Sequence, residues 1–382
     1  MVANQFSLGL LIGDLISLMK IYVTALLPVI IMGPSASIQA APPVASQAVV
    51  FLKLIDRPRV PLSPELKRLE GSSAFEQFHF SFAAEAGERV TGLLVKPRTT
   101  SGKLPVVVAL HGTGGNKESQ LPLLEDLAAR GFLAIAIDGR YHGERAAGVN
   151  GSTAYVEAML RAYRGSGEHP FLYDTVWDIM RLIDWIETRP DADAARIGMI
   201  GFSKGGMELY LAAAVDSRIR ASVPCIAVQS FRWALDHNAW QSRAGTFQVA
   251  LNEAAREASA APDAVFLRRF YDRVAPGIYD QFDGPSMVPL IAPRPLLAIN
   301  GEIDARTPKI GLLECVDKIK AAYSAAGAPG NFQFILQPKT GHKVNPESLR
   351  TALDWLVRSL GNPALQSKAV TVGDDAPKRE RH

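Results

Sequence analysis

Five residues constrain this 382-residue chain more than any others: Gly201-Phe202-Ser203-Lys204-Gly205. They stand between an apolar run at 196–200 and a helix-like stretch at 207–211. A serine in that setting occupies the tip of a sharp strand-to-helix turn, and glycines two residues to either side remove the side chains that would collide there. The hydroxyl then points out of the sheet. The helix beyond it offers unpaired N–H groups and a positive dipole end to a developing oxyanion.

The pentapeptide gains weight from two residues further along the chain. Asp304 comes after the apolar run Pro295-Leu296-Leu297-Ala298-Ile299-Asn300 and a Gly301-Glu302-Ile303 turn, and His342 comes just after the strand-like Phe332-Gln333-Phe334-Ile335-Leu336. Serine, acid and histidine in that chain order are a nucleophile, an orienting carboxylate and a general base. His342 takes the Ser203 proton and returns it to the leaving group, while Asp304 fixes the imidazole tautomer. Glu302 is the competing acid, and Asp304 has the alternative of a turn aspartate bonded to its own backbone.

An oxyanion hole needs two donors. The first is the Lys204 N–H; for the second, the buried strand expected at 105–110 runs into His111-Gly112-Thr113-Gly114-Gly115, where Thr113 is the candidate. This segment fits neither Gly-x-Gly-x-x-Gly nor a phosphate loop ending in Gly-Lys-Ser/Thr, so no nucleotide cofactor is expected. No cofactor of another kind is expected either. His111, His142 and His342 lack short ligand spacing and paired cysteines, which argues against a metal.

With these residues in place, the chain resembles the α/β-hydrolase superfamily, and within it serine-type dienelactone-hydrolase-like and prolyl-oligopeptidase-like esterases. The resemblance covers about residues 75–360, and rests on the segments 111–115 and 201–206, on Asp138-Gly139-Arg140-Tyr141-His142-Gly143-Glu144-Arg145, on Pro293-Arg294-Pro295-Leu296-Leu297 leading to Asp304, and on Gly341-His342. It implies an α/β-hydrolase fold: a mostly parallel eight-stranded sheet with helices on both faces. The chain departs from dienelactone hydrolases proper, whose nucleophile is cysteine, and Ser203 favours ordinary carboxylic esters. A serine peptidase or amidase of oligopeptidase type is the alternative enzyme. A catalytically silent hydrolase-fold binding protein is the alternative from another class.

Periodicity predicts a hairpin over 75–96, parallel strands near 105–110, 132–137, 196–202, 220–228, 295–300 and 331–336, and crossover helices near 118–130, 171–188, 204–214, 308–326 and 346–360. The stretch 229–292 exceeds what a crossover needs and reads as a cap inserted after the sixth strand, over the site. Its Trp233 and Trp240 are candidates to wall a substrate pocket, the alternative being a small core of the cap's own. His111, Tyr141 and His142 are further candidates for substrate contact, since loops after parallel strands gather at one mouth of the sheet. Against that, Asp138, Glu144 and Arg145 are expected to pair locally and brace their loop.

The net charge of +3 with 41 basic residues spread along the chain excludes a nucleic-acid footprint, leaving a small-molecule ester as the expected partner and the oligomeric state open. Residues 5–32 are strongly apolar, with Asp14 and Lys20 the only charged residues. Residues 1–40 therefore read as a signal peptide, with a true start at Met19 and cleavage near Ala40 or Ala41, and the expected location is periplasmic or secreted. The alternatives are an uncleaved membrane anchor through residues 5–32, or a cytosolic apolar arm. Residues 41–74 form a Pro-punctuated lead-in, and 361–382 a charged tail expected to be disordered. Two cysteines, Cys225 and Cys315, are too few for a disulfide scaffold.

Overall fold

The computed structural model describes residues 44–361 apart from 71–72, 100–101, 147 and 149–150. The leader or anchor expected over 1–40, and all of the expected tail but Gly361, lie outside the described residues. Nine strands make one sheet in the order β1-β2-β3-β5-β4-β6-β7-β8-β9. They are β1 (Glu65–Leu69), β2 (Phe75–Glu85), β3 (Glu88–Pro97), β4 (Leu104–Leu110), β5 (Leu133–Ile137), β6 (Ala192–Phe202), β7 (Ile219–Cys225), β8 (Leu296–Gly301) and β9 (Phe332–Gln337). The pairs β1·β2, β2·β3 and β3·β5 are antiparallel, and every pair from β5 through β4 to β9 is parallel.

The helices lie between and beside these strands. In chain order they are α1 (Val44–Ile55), α2 (Leu121–Ala129), α3 (Gly151–Arg164), α4 (Tyr173–Glu187), α5 (Lys204–Val215), α6 (Phe231–Asp236), α7 (Gln241–Ala244), α8 (Gln248–Glu257), α9 (Ala264–Val274), α10 (Gly284–Met287), α11 (Lys309–Ala325) and α12 (Pro346–Leu360). Side chains alternate across each parallel strand, so Val106, Val108 and Leu110 of β4 enter one core while Val107 and Ala109 enter the other. The first core takes up α1, α4, α5, α11 and the segment between β7 and β8; the second takes up α2 and α12. Helices thus cover both faces of the sheet.

The sheet has one strand more than the eight expected. The extra one is β1, whose sequence Glu-Leu-Lys-Arg-Leu lies at the sheet edge with its first four residues exposed. No buried face disciplines its pattern, so periodicity could not reveal it; its backbone pairing to β2 forms it. The lead-in also contains α1, and Phe51 of that helix is fully buried, 4.9 Å from the Tyr173 ring and 5.0 Å from Phe282. The long segment between β7 and β8 carries five helices, α6 to α10, with a core that includes Phe247, Phe266, Phe270 and Tyr271.

Six loops leave the C-terminal ends of parallel strands: after β4 at His111, after β5 at Asp138, after β6 at Ser203, after β7 at Ile226, after β8 at Glu302 and after β9 at Pro338. That end of the sheet is where this topology gathers ligands. Among the described residues no helix is long and apolar enough to cross a membrane.

Candidate active site

Ser203 links β6 to α5 with φ 52° and ψ −113°. A non-glycine residue at positive φ costs about 1–3 kcal/mol and persists only where its surroundings impose it. Here the Ser203 N–H donates to Cys225 O of β7 at 2.9 Å, and its carbonyl accepts from Met207 N–H at 3.0 Å. The flanking glycines are required by close approach. A Cβ on Gly201 would lie 2.4 Å from Gly205 O, and one on Gly205 would lie 2.5 Å from Leu110 O and 2.6 Å from His111 O.

The Ser203 hydroxyl donates to His342 Nε2 at 2.8 Å, and His342 Nδ1–H donates to Asp304 Oδ2 at 2.6 Å. Asp304 is 3% exposed, and its Oδ1 accepts the Arg306 N–H at 2.8 Å. Burial pushes its carboxyl group up, but the His342 hydrogen bond and charge, with the Arg306 N–H, outweigh that and hold it below the usual carboxylate range. Glu302 is turned elsewhere, accepting from Lys309 Nζ at 2.9 Å and from the Lys339 N–H at 3.1 Å. The three residues picked from sequence are therefore joined by one hydrogen-bonded chain.

Ser203 and His342 line a cavity of about 30 Å³ together with Thr113, Lys204 and Phe231. Lys204 opens α5, so its N–H has no intrahelical acceptor. Its side chain is buried, and its ammonium pairs with Glu208. What it can offer the cavity is its main chain.

The other substrate-contact expectations do not hold at this cavity, and each departs for a physical reason. His111 is 3% exposed and neutral, its imidazole pushed down to about 4 by burial and then by the Lys204 charge. Its Nδ1–H donates to Gly112 O at 2.8 Å, and its Nε2 accepts the Gly139 N–H at 2.9 Å. It thereby ties the glycine-rich turn to the loop after β5. His142 is fully buried, pushed down to about 2 by burial and then by Lys204, with Nδ1–H donating to Arg140 O at 2.8 Å. Tyr141 points its hydroxyl to Glu168 at 3.0 Å. Trp233 stacks on His237 at 4.4 Å between ring centroids and borders a different surface groove with Asp280 and Pro285. Trp240 packs, half-buried, against the first core. None of the five lines the cavity at Ser203.

The loop after β5 is braced in part by local bonds, the Glu144 N–H donating to Asp138 Oδ2 and Arg145 Nη1–H donating to Asp138 O, both at 3.3 Å, with no ion pair joining the three side chains. Asp138 accepts from Lys117 Nζ at 2.8 Å and from Thr91 Oγ1 at 2.8 Å. Arg145 reaches Asp178 at 2.7 Å, and Arg140 binds both Asp178 oxygens at 3.1 Å. Glu144 meets His79 at 2.9 Å. Cys225 and Cys315 are buried free thiols. Residues that sequence reasoning did not single out also reach the cavity, among them Phe171, Met207, Arg243 and Arg306. They come from a loop, a helix face, the cap and a turn, and nothing local distinguishes them.

A serine elbow on a central strand, a mostly parallel sheet covered on both faces and an inserted cap define an α/β-hydrolase. The model of the acetyl xylan esterase (AXE1) family matches residues 52–236. YtaP of Bacillus subtilis strain 168, named as a hydrolase, is 26% identical over 325 residues, which is 80% of this chain and 97% of YtaP. YitV of the same organism, named as an esterase, is 25% identical over 266 residues, 69% of this chain and 92% of YitV. Among solved structures, acetyl xylan esterase from Paenibacillus sp. R4 superposes with a TM-score of 0.59 at 20% identity, covering 82% of this chain and 93% of that one. The chain is a carboxylic ester hydrolase with the α/β-hydrolase fold.

Proposed function

We propose that this chain cleaves carboxylic esters through an acyl-enzyme, with Ser203 as nucleophile, His342 as general base and then general acid, and Asp304 as the orienting carboxylate. The observation that carries the reading is the hydrogen-bonded chain from Ser203 Oγ through His342 to Asp304, opening on a cavity. As Ser203 Oγ attacks the ester carbonyl, its proton passes to His342 Nε2, and the resulting imidazolium is stabilised by Asp304. The main-chain N–H groups of Lys204 and Thr113 receive the oxyanion. His342 then gives its proton to the alkoxide as the C–O bond breaks. Water repeats the sequence on the acyl-serine and releases the acid.

The substrate we infer is an O-acyl carbohydrate with a short acyl group, acetyl foremost. The cavity of about 30 Å³ supports a small acyl group, being room for two or three water-sized probes. The carbohydrate comes from the acetyl xylan esterase likeness. Export through a cleaved leader is supported by the apolar stretch 5–32 and the small residues up to Ala41. N-terminal sequencing of the protein from each cell fraction tests it, an intact leader on soluble cytosolic protein counting against it.

The deciding experiment is a fluorophosphonate probe with peptide mapping, alongside turnover of nitrophenyl acetate, longer nitrophenyl esters and peptide anilides. Labelling at Ser203 alone, loss of labelling and of about 10⁴- to 10⁶-fold of the rate in Ser203→Ala, and a preference for acetate are expected. Retention of more than a few per cent of activity by Ser203→Ala would remove the assignment. Faster cleavage of anilides would move it to peptidases, and an unlabelled, inert protein would move it to a binding role.

A further inference from the structure

Arg243 is 7% exposed, sits on α7 of the cap and lines the same cavity as Ser203 and His342. Among the described residues no carboxylate lies within 4 Å of its guanidinium and no acceptor takes a hydrogen bond from either terminal nitrogen. Its polar contact is a single Nε–H donation to Ser242 Oγ at 3.3 Å, and its Cζ stands 5.3 Å from the Phe231 ring centroid. Two other arginines at similar depth are paired: Arg140, 6% exposed, with Asp178, and Arg181, 4% exposed, with Asp184.

The carboxylates nearest in charge to Arg243 are already committed. Asp304 accepts from His342 Nδ1 at 2.6 Å. Asp283 accepts from Ser230 Oγ, the Phe231 N–H and the Gly284 N–H, each at 2.7 Å. A buried cation without a counter-charge is unfavourable and is retained where something else supplies the anion. Burial pushes Arg243 down to about 10, so the group is still a cation at neutral pH. A second cation, Arg306, borders the cavity from the exposed turn after Asp304. The planar fork of a guanidinium matches a carboxylate with two parallel hydrogen bonds, strengthened where water is excluded.

We propose that Arg243 is an anion subsite of the active-site cavity, and that the preferred ester carries a free carboxylate within a few bonds of the carbonyl that is attacked. The inference rests on the reading of Ser203 as nucleophile, and it narrows the substrate class to acidic esters, with the carboxylate on the acyl or the alcohol portion. The small volume of the cavity sets the short spacing.

Two matched pairs of probes test it on the full chain: mono-4-nitrophenyl glutarate against 4-nitrophenyl glutaramate, and 4-acetoxybenzoate against 4-acetoxybenzamide. The charged member of at least one pair should have a kcat/KM higher by roughly ten- to a hundredfold, the range of a charge-assisted hydrogen bond. In Arg243→Gln that ratio should collapse toward one, and Arg243→Lys should restore part of it. Ratios near one for both pairs in the wild type, or an equal loss for both members in Arg243→Gln, would overturn the proposal. Should Arg243→Gln fail to fold, calorimetry of glutarate and glutaramide binding to the wild-type protein decides, equal or absent binding of the two counting against the subsite. If none of the four esters turns over and no fluorophosphonate labels Ser203, the hydrolase reading fails by itself, and the calorimetric comparison still judges the subsite.

Discussion

Asp304 is held charged inside the protein by the groups it serves, and that sets what its replacement should do. Asp304→Asn keeps the shape but presents an amide to His342 Nδ1, so the ring loses the bond that fixes its tautomer. A fall in kcat on the order of 10⁴-fold, with little change in thermal stability, is expected; stopped-flow turnover and calorimetric melting measure the two separately. Gly205→Ala is predicted to act in the opposite way. Its Cβ would strike backbone oxygens of Leu110 and His111, atoms that cannot swing aside. A loss of about 1–3 kcal/mol in urea unfolding is expected, together with a displaced elbow; a variant as stable and active as the parent would refute the close-packing account. At this scale Ser203, Asp304 and His342 were readable because each lies in a local pattern of turn residues after a strand. Arg243 was not readable, since an arginine next to a serine in a short helix has no local mark and becomes distinctive only when the fold leaves it without a carboxylate.

The elements that carry the site are fixed by buried ions as much as by apolar contact. Asp178 on α4 binds Arg140 and Arg145 of the loop after β5, and Arg140 continues to Glu85 at the end of β2. Burial raises the Asp178 carboxyl, but the two arginines outweigh it and its folded value lies below the ordinary one. The stability it contributes is therefore full above the unfolded value of about 3.9 and is lost as pH falls below that, through the folded value. Urea titrations between pH 3 and 7 should show the parent losing stability in that acid window, and Asp178→Asn losing about 3–5 kcal/mol already at neutral pH. A variant within about 0.5 kcal/mol of the parent throughout would show the ion cluster to be dispensable. The cap makes a second prediction. Phe231 faces the cavity while Trp233, two positions on, packs on His237 and over Gly311. Phe231→Ala should change the relative kcat/KM of short and bulky esters by about 1–3 kcal/mol, whereas Trp233→Ala should lower all of them by one factor; an ester panel on the two variants distinguishes these outcomes. Aromatic content marked the segment as a cap, yet which ring turns inward depends on helix orientation, and six-residue α6 is too short to declare that in sequence.

At the scale of the whole molecule, the parallel strands and most of their crossover helices were legible to within a few residues because each core strand is apolar on both faces; α3, which precedes α4 between β5 and β6, was not. The lead-in was not, for α1 derives its place from Phe51 reaching both α4 and the cap-side Phe282. Phe51→Ala should cost about 3–5 kcal/mol, read from denaturant unfolding, since a fully buried ring leaves a cavity between those layers. The sheet also distributes the residues of the proposed triad unevenly. Ser203 stands on β6, flanked by β4 and β7, whereas His342 hangs from the loop after β9, the last strand, which has a neighbour on one side only. Margins of a sheet fray at lower free energy than centres do. Partial denaturation should therefore detach His342 from Ser203 while most of the secondary structure survives. Activity becomes an early sentinel of local opening, failing at milder denaturant than the far-ultraviolet signal, and amide exchange should be faster along 332–337 than along 197–202.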